Sequence, residues 1–386
     1  MITVAHVITR LELGGAQENT LYTCEHLDRR RFRVALLYGP GGILDEDARS
    51  MPDTRIVEID GLERAVNPRA DADAMMALSD HLRALHLEHQ RLGHPAHQFI
   101  VHTHSSKAGV LGRMAAKAAG APKIVHSIHG FGFHAGQSRL KFNVFVGAER
   151  LAAKITDAFI GVSRANLAEA RARGIIKDRH DVSLVRSGMK LDAFTRAEAE
   201  RRPTRAALGL EPEDEVLLCI GNFKPQKDPL TLVAAMGVLK AKRPRAVLLF
   251  AGDGGLRADV EQAIRLHGVQ DRVRLLGWRR DIPQLLAASD VVVLSSIFEG
   301  LPRSAVQAVA ARRPFVGTRV DGTPEIIRDG KNGYLVEPRD PDALAQAMAK
   351  ALMVRPIDPE DVERLRAWDA DEMVRQQEVI YERLVR

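Results

Sequence analysis

The sequence predicts an α/β fold arranged as two domains, and three observations carry that reading. Its 386 residues exceed what a single hydrophobic core usually organises. Short, largely apolar runs, among them residues 4–8, 33–38, 215–220, 246–250 and the continuous 291–294, suit strands buried on both faces of a parallel sheet, and turns and helix-length segments separate them. The polar stretch 195–205, with Glu198, Glu200, Arg201, Arg202 and Pro203, lies between two groups of such runs. It is the linker candidate, which sets a first domain at 1–195 and a second at 206–366.

Composition narrows the class. A hydrophobic content of 45% and a charged content of 27% fit a globular protein and leave no segment that reads as a disordered tail. The formal net charge of +6 points to a phosphate-rich ligand, an anionic surface or nucleic acid, and charge alone does not choose among them. Cys24 and Cys219 sit far apart in apolar contexts, the pattern of buried free thiols in a reducing cytoplasm. Residues 1–5 lack the basic start and long apolar core of a signal peptide, and no later run reaches membrane-spanning length, so any membrane contact is expected to be peripheral.

In the first half, the strand at 4–8 is followed by Leu13-Gly14-Gly15-Ala16, which turns into a helix with Leu21, Tyr22, Cys24 and Leu27 at helical spacing. Gly14 and Gly15 would let backbone amides approach a diphosphate; a glycine turn serving helix packing alone reads the same way, and the spacing is not G-x-G-x-x-G. Strands follow at 33–38 and 56–59, a helix at 70–92 and a strand at 99–102; the connection 89–97 suggests no function. His102 and His104 share one strand face, yet no cysteine or acidic residue is near enough in sequence to complete a zinc pattern, so no metal site is expected. A helix then runs to 119, and the strand 123–127 leads into Ile128-His129-Gly130-Phe131. His126 reads as structural. His129 can offer a neutral nitrogen or a charged donor near pH 7, and a histidine satisfied in a strand-end network is the alternative.

Residues 139–155 combine Arg139, Lys141, Arg150 and Lys154 with Phe142, Val144, Phe145, Val146, Leu151 and Ile155. This basic amphipathic segment is either a solvated helix face or a dock for anionic lipid. A strand at 159–163, a helix from 165 and a strand at 182–185 complete the first half.

In the second half, the strand 215–220 runs into Gly221-Asn222-Phe223-Lys224-Pro225-Gln226-Lys227-Asp228 and a helix beginning near Leu230. The strand 246–250 is followed by Gly252-Asp253-Gly254-Gly255 and a helix, and 273–277 by Trp278-Arg279-Arg280-Asp281, where Asp281 is placed to cap the helix 282–289. After the strand 291–294 the chain breaks at Ser295-Ser296, and Glu299-Gly300-Leu301-Pro302 closes onto a helix whose free backbone N–H groups attract anions. A strand from Pro314 and the turn Asp321-Gly322-Thr323-Pro324-Glu325 follow, then helices at 340–354 and 368–384.

The stretch 290–327 resembles the donor-site signature of the retaining glycosyltransferases of family 4. That signature sets two glutamates eight positions apart, then a small-residue helix, a strand and a Gly-x-Pro-Glu turn; here Glu299 takes the first position and Gln307 the second. His129-Gly130-Phe131 resembles the family's acceptor-side loop, and 102–112 resembles a subset that builds bacterial surface polysaccharides. Residues 221–228 resemble its diphosphate loop, with Lys227 at the lysine position and Asn222 where an arginine usually stands.

The resemblance implies two facing Rossmann-like domains with the donor site in the interdomain cleft and the segment 367–386 packed back on the first domain. It implies catalytic roles for Lys227, Glu299 and His129: the lysine, helped by Lys224, on the leaving diphosphate, the glutamate on sugar hydroxyls, and the histidine on the sugar or leaving group. Gly14, Gly15, Asn222, Gly300 and Leu301 would line the donor, Gln307 would hold ribose hydroxyls, and Trp278, Arg279 and Asp281 would lie near the base. No cofactor or metal is implied, since no Asp-x-Asp pair stands beside the clamp; the substrate is a UDP- or GDP-linked sugar.

The expected activity is retaining transfer from a nucleotide sugar to a polyprenyl-diphosphate-linked or other glycan in surface-polysaccharide synthesis. It is expected in the cytoplasm, at the inner face of the cell membrane where an anionic surface is involved, and without nucleic acid. A nucleotide-sugar epimerase and a catalytically silent nucleotide-sugar-binding subunit are the alternatives, the latter because of Asn222 and Gln307.

Overall fold

The computed structural model describes residues 1–63, 65–133, 137–354 and 357–386. The chain forms two compact units, one of residues 1–189 and 370–386, the other of residues 190–369.

The first unit is built on a seven-stranded parallel sheet: β1 (Ile2–Ile8), β2 (Phe32–Tyr38), β3 (Thr54–Glu58), β4 (Phe99–His104), β5 (Lys123–Ile128), β6 (Ala158–Gly161) and β7 (Asp181–Leu184). Their order is β3-β2-β1-β4-β5-β6-β7, so the chain winds outward in both directions from β1 and leaves a crevice at the ends of β1 and β4. Apolar side chains alternate to both faces of β1, which explains its largely apolar run: Val4 and Ile8 join one core with Leu21 and Cys24, while Ala5 and Val7 join the other with Leu78 and Leu82. Both cysteines are buried free thiols.

The final helix, Ala370–Leu384, belongs to this unit. Met373, Val374, Ile380 and Tyr381 enter the core beside β1, and Arg31 ion-pairs with Glu378 at 3.0 Å. The helix Arg139–Ala153 is held by the buried pair Arg113–Glu149 at 2.5 Å, a charge-assisted contact that satisfies both groups away from water. The connection 89–97 acquires a structural account: His89 Nδ1 meets Thr3 Oγ1 at 2.8 Å and its Nε2 meets the Pro95 carbonyl at 2.9 Å, pinning the end of the long helix Pro68–Arg91 to β1.

The second unit carries six parallel strands, β8 (Glu215–Ile220), β9 (Ala246–Ala251), β10 (Val273–Leu275), β11 (Val291–Leu294), β12 (Phe315–Thr318) and β13 (Gly333–Val336), in the order β10-β9-β8-β11-β12-β13. The winding reverses between β8 and β11. Gly252 fits closely here: at φ +150° an added Cβ would stand 2.0 Å from the Gly221 carbonyl oxygen, so a side chain would push apart the turns after β9 and β8. The linker candidate proves to be part of this unit. Arg201–Ala207 is helical, Arg201 donates to the Ala287 and Ser289 carbonyls, and Arg205 to the Ala288 carbonyl, so two arginines of the segment bind helix-end carbonyls of the second unit.

Candidate functional site

In the second unit, the switch point brings the loop after β8 beside the loop after β11, and hydrogen bonds join them. Ile297 N–H donates to the Gln226 carbonyl at 2.8 Å, Gln226 Nε2 to the Phe298 carbonyl at 2.9 Å, and the Ser295 hydroxyl approaches the carbonyls of Lys227 and Asp228 at 2.9 and 2.8 Å. On this frame Lys227 Nζ reaches Glu299 Oε1 at 2.5 Å, and the Ser296 hydroxyl donates to the same oxygen at 2.6 Å. Asp321 Oδ2 accepts the Glu299 backbone N–H at 2.6 Å. The carboxylate of Glu299 is thus buried but paired, beside a partly exposed ammonium.

The other expected donor residues fall around this pair in different ways. Lys224 N–H donates to the Asn222 carbonyl at 3.0 Å and Lys227 N–H to the Lys224 carbonyl at 2.9 Å, so all three residues belong to one turn. Gly300 and Leu301 follow Glu299 directly, with Leu301 buried. Gln307 is half-buried on the helix Arg303–Ala310, and its side chain has no hydrogen-bond partner among the described residues.

Arg279 and Asp281 lie beyond β10, on the far side of β9 from β8. They pair with each other, Arg279 Nε to Asp281 Oδ1 at 2.7 Å. The capping expectation for Asp281 is corrected here: its side chain makes no cap hydrogen bond to the helix Ile282–Ala288, because the Arg279 guanidinium engages both carboxylate oxygens. That contact holds the Asp281 carboxyl below its ordinary pKa.

In the first unit, Gly14 precedes the helix Gly15–His26, whose backbone amides begin just after β1. Gly14 has φ 177°, extended backbone open to any residue, and an added Cβ would meet only the flexible end of Gln17, at 2.9 Å. Helix packing therefore does not demand glycine at position 14.

His129, at the end of β5, has its Nε2 3.1 Å from His104 Nδ1. Although the residue keeps some surface, burial of the ring pushes its pKa down to about 4, which removes the charged-donor option at pH 7. His104 in turn places Nε2 3.0 Å from His6 Nδ1. His104 and His129 also border a small cavity lined by Asn19, Arg186 and Gln377 together with Ile160, Val162 and Met373. His126 lies at 2.9 Å from the Thr103 hydroxyl, and Gly109 is needed for its packing, since a Cβ there would be 2.4 Å from the ring.

His6, His102 and His104 could by distance hold a metal, their ligand atoms all lying within 4.8 Å of one another. The donor set fits poorly. His102 bonds Tyr381 Oη through Nδ1 at 2.6 Å and Ser127 Oγ through Nε2 at 2.8 Å, and both nitrogens of His104 face other imidazoles. The arrangement is a hydrogen-bonded network with one uncommitted nitrogen, His6 Nε2. Ser296, Asp321, His6 and Tyr381 were not singled out from the sequence. The strand alternation that marks His102 and His104 extends to His6 only through the parallel pairing that sets His6 opposite His102.

Comparison with known proteins covers both units. Residues 14–188 match the family described as Glycosyl transferase 4-like domain, and residues 214–353 match Glycosyl transferases group 1. The chain is 30% identical over 356 residues to UDP-Gal:alpha-D-GlcNAc-diphosphoundecaprenol alpha-1,3-galactosyltransferase of Escherichia coli, covering 90% of this chain and 87% of that protein. In fold it is similar to HepE of Anabaena in complex with UDP-glucose, with TM-score 0.79, 18% identity and coverage of 99% and 100%. It is likewise similar to sucrose-phosphate synthase of Thermosynechococcus elongatus, with TM-score 0.82, 21% identity and coverage of 100% and 99%.

Proposed function

This chain belongs to the two-Rossmann-domain glycosyltransferases of the family 4 type, and from that premise we propose that it moves a hexose from a UDP-linked donor to a polyprenyl-diphosphate-linked sugar with retention of configuration. One observation carries the reading: Lys227 and Glu299, a partly exposed cation and a buried carboxylate, meet at the switch point of the second unit. A nucleotide sugar needs both, a cation for the diphosphate and an acceptor for sugar hydroxyls. The galactosyltransferase relative, named for UDP-Gal and a diphosphoundecaprenol-linked acceptor, supports the choice of donor and acceptor class.

In the proposed step the bond from the anomeric carbon to the diphosphate oxygen breaks, and the acceptor oxygen bonds to the same face of that carbon. The acceptor's proton passes to the departing diphosphate. Lys227, with Lys224 in the same turn, stabilises charge growing on the diphosphate; Glu299 orients the sugar through its hydroxyls; Gln307 takes the ribose. Gly14 and Gly15 offer backbone amides to phosphate, and His129, neutral at pH 7, serves the sugar or leaving group. Asn222, Gly300 and Leu301 line the donor, and Arg279 with Asp281 lies toward the base. Surface-polysaccharide synthesis is the setting this acceptor class implies.

We further propose that the helix Arg139–Ala153 rests on anionic lipid at the inner face of the cell membrane. Its outward side carries Leu140, Val144 and Leu151, exposed by 77%, 61% and 54%, a degree that a solvated face does not require, and Arg139, Lys141 and Lys154 flank them. No helix of the described residues is long and apolar enough to cross a membrane.

The test is incubation of the purified chain with UDP- and GDP-linked sugars and a membrane lipid extract. Transfer of label to lipid, with the anomeric configuration of the donor kept in the product, supports the proposal. Release of a free epimer, or binding with no turnover, would instead support the epimerase or the silent subunit.

A further inference from the structure

We propose that His6, His104 and His129 form a tautomer relay, in which the buried His6 and His104 act as positioning residues that hold the proton of His129 on Nδ1. The use of that proton in sugar chemistry rests on the function proposed above; the relay itself concerns only the three rings.

The argument begins with what each contact requires. His6 Nδ1 lies 3.0 Å from His104 Nε2, and His104 Nδ1 lies 3.1 Å from His129 Nε2. Burial lowers the pKa of all three rings, so near neutral pH each carries one proton, and each contact needs one N–H and one bare nitrogen. Only two arrangements satisfy both contacts. Either every ring is protonated on Nδ1, or every ring is protonated on Nε2.

His6 Nε2 decides between them. It is fully buried and has no partner among the described residues. A proton placed there would be an N–H donor removed from water with nothing to accept it, the rarer and costlier kind of orphan. The proton of His6 therefore sits on Nδ1 and is donated to His104 Nε2. His104 must then carry its own proton on Nδ1 and donate it to His129 Nε2. The proton of His129 is left on Nδ1, the nitrogen outside the relay.

His102 does not disturb this order, although its ring centroid is 4.2 Å from that of His104. Its Nδ1 faces Tyr381 Oη, whose own proton goes to Gln377 Oε1 at 3.0 Å, and its Nε2 accepts from Ser127. It belongs to a second chain. The relay makes His129 a neutral hydrogen-bond donor instead of a base, which suits an oxygen that gains negative charge as a phosphate leaves.

The experiment is long-range proton–nitrogen correlation on the full chain labelled at histidine, read at pH 7.5, with turnover measured on the same samples. Wild type is expected to show His129 protonated at Nδ1 and bare at Nε2. His104→Phe removes the donor to Nε2, and His6→Phe frees His104 to reverse; in both, His129 should move toward the Nε2-protonated form. His104→Gln, whose amide N–H can replace the lost donor, should restore the wild-type pattern. On the function proposed above, kcat falls about tenfold or more in His104→Phe with donor KM little changed, and recovers in His104→Gln. Wild-type His129 protonated at Nε2 would overturn the relay, a reading that needs no variant to fold. So would a His129 tautomer unchanged in both phenylalanine variants. A tautomer that shifts while turnover stays constant would uphold the relay and remove His129 from the chemistry.

Discussion

Lys227 and Glu299 stand 72 residues apart in sequence and share an ion pair in which the carboxylate is buried and the ammonium is only partly so. Truncating either partner strands the other charge, and the Glu299 carboxylate is the one with less access to water. The pair therefore stabilises the fold, apart from the role proposed for Lys227 on a departing diphosphate, and the two effects separate by experiment.

Lys227→Ala is expected to lower kcat by about 2 to 4 kcal/mol of transition-state stabilisation and also to lower the melting temperature, because Glu299 loses its counter-ion. Adding Glu299→Gln should recover much of the thermal stability and none of the turnover. Unchanged kcat in the single variant would take Lys227 out of the reaction.

Gln307 offers one acceptor oxygen and two donors where a glutamate would offer a charged acceptor to ribose hydroxyls. Gln307→Glu is expected to tighten nucleotide-sugar binding by about 1 kcal/mol, and Gln307→Ala to weaken it, with the chemical step preserved in both. Calorimetric donor affinities beside turnover on lipid acceptor decide it. An alanine variant equal to wild type in both would show that Gln307 does not touch the donor.

Tyr381→Phe leaves the Nδ1–H of buried His102 without its acceptor and Gln377 without its donor, at an expected cost of about 1 to 3 kcal/mol. The loss should concentrate in the helix Ala370–Leu384. Faster amide exchange there, with the second unit unaffected, is the outcome to look for.

Acid should destabilise the first unit before carboxylates titrate. His102, His104 and His126 are held well below the ordinary 6.5 by burial, His6 goes down to about 3, and His129 to about 4. Between pH 6.5 and 4 the unfolded chain therefore binds protons that the folded chain refuses, so stability is full above 6.5 and declines as pH falls, by up to about 1.4 kcal/mol per pH unit for each such histidine. Urea unfolding at pH 7.5 and at pH 5 measures the difference; equal midpoints would mean that these rings protonate in the folded state.

If the basic helix docks on lipid, the protein should sediment with anionic vesicles, less so as salt rises, and not with neutral ones. Reversing Arg139, Lys141 and Lys154 to Glu should abolish sedimentation. Equal recovery with both kinds of vesicle would return that face to solvent.

The sequence by itself determined what is local: apolar runs of strand length, glycine turns after them, and loops such as 221–228 and 299–302 whose residues act as neighbours in the chain. Those signals put Lys227, Glu299 and His129 in the loops that follow buried runs, and the family resemblance singles them out within those loops. Only the tertiary structure decided which ends lie together. Strand order places β11 beside β8 and so pairs Glu299 with Lys227; parallel register places His6 opposite His102; and the return of the last helix carries Tyr381 to a histidine 279 residues earlier. Asp281 shows the same limit in reverse, since its position at a helix start suggests a cap until the Arg279 guanidinium claims its carboxylate. The reason is physical. Periodicity and turn chemistry act over a few residues and leave a local trace, whereas strand adjacency and buried hydrogen-bond partners are chosen by packing the whole chain, which no single stretch encodes.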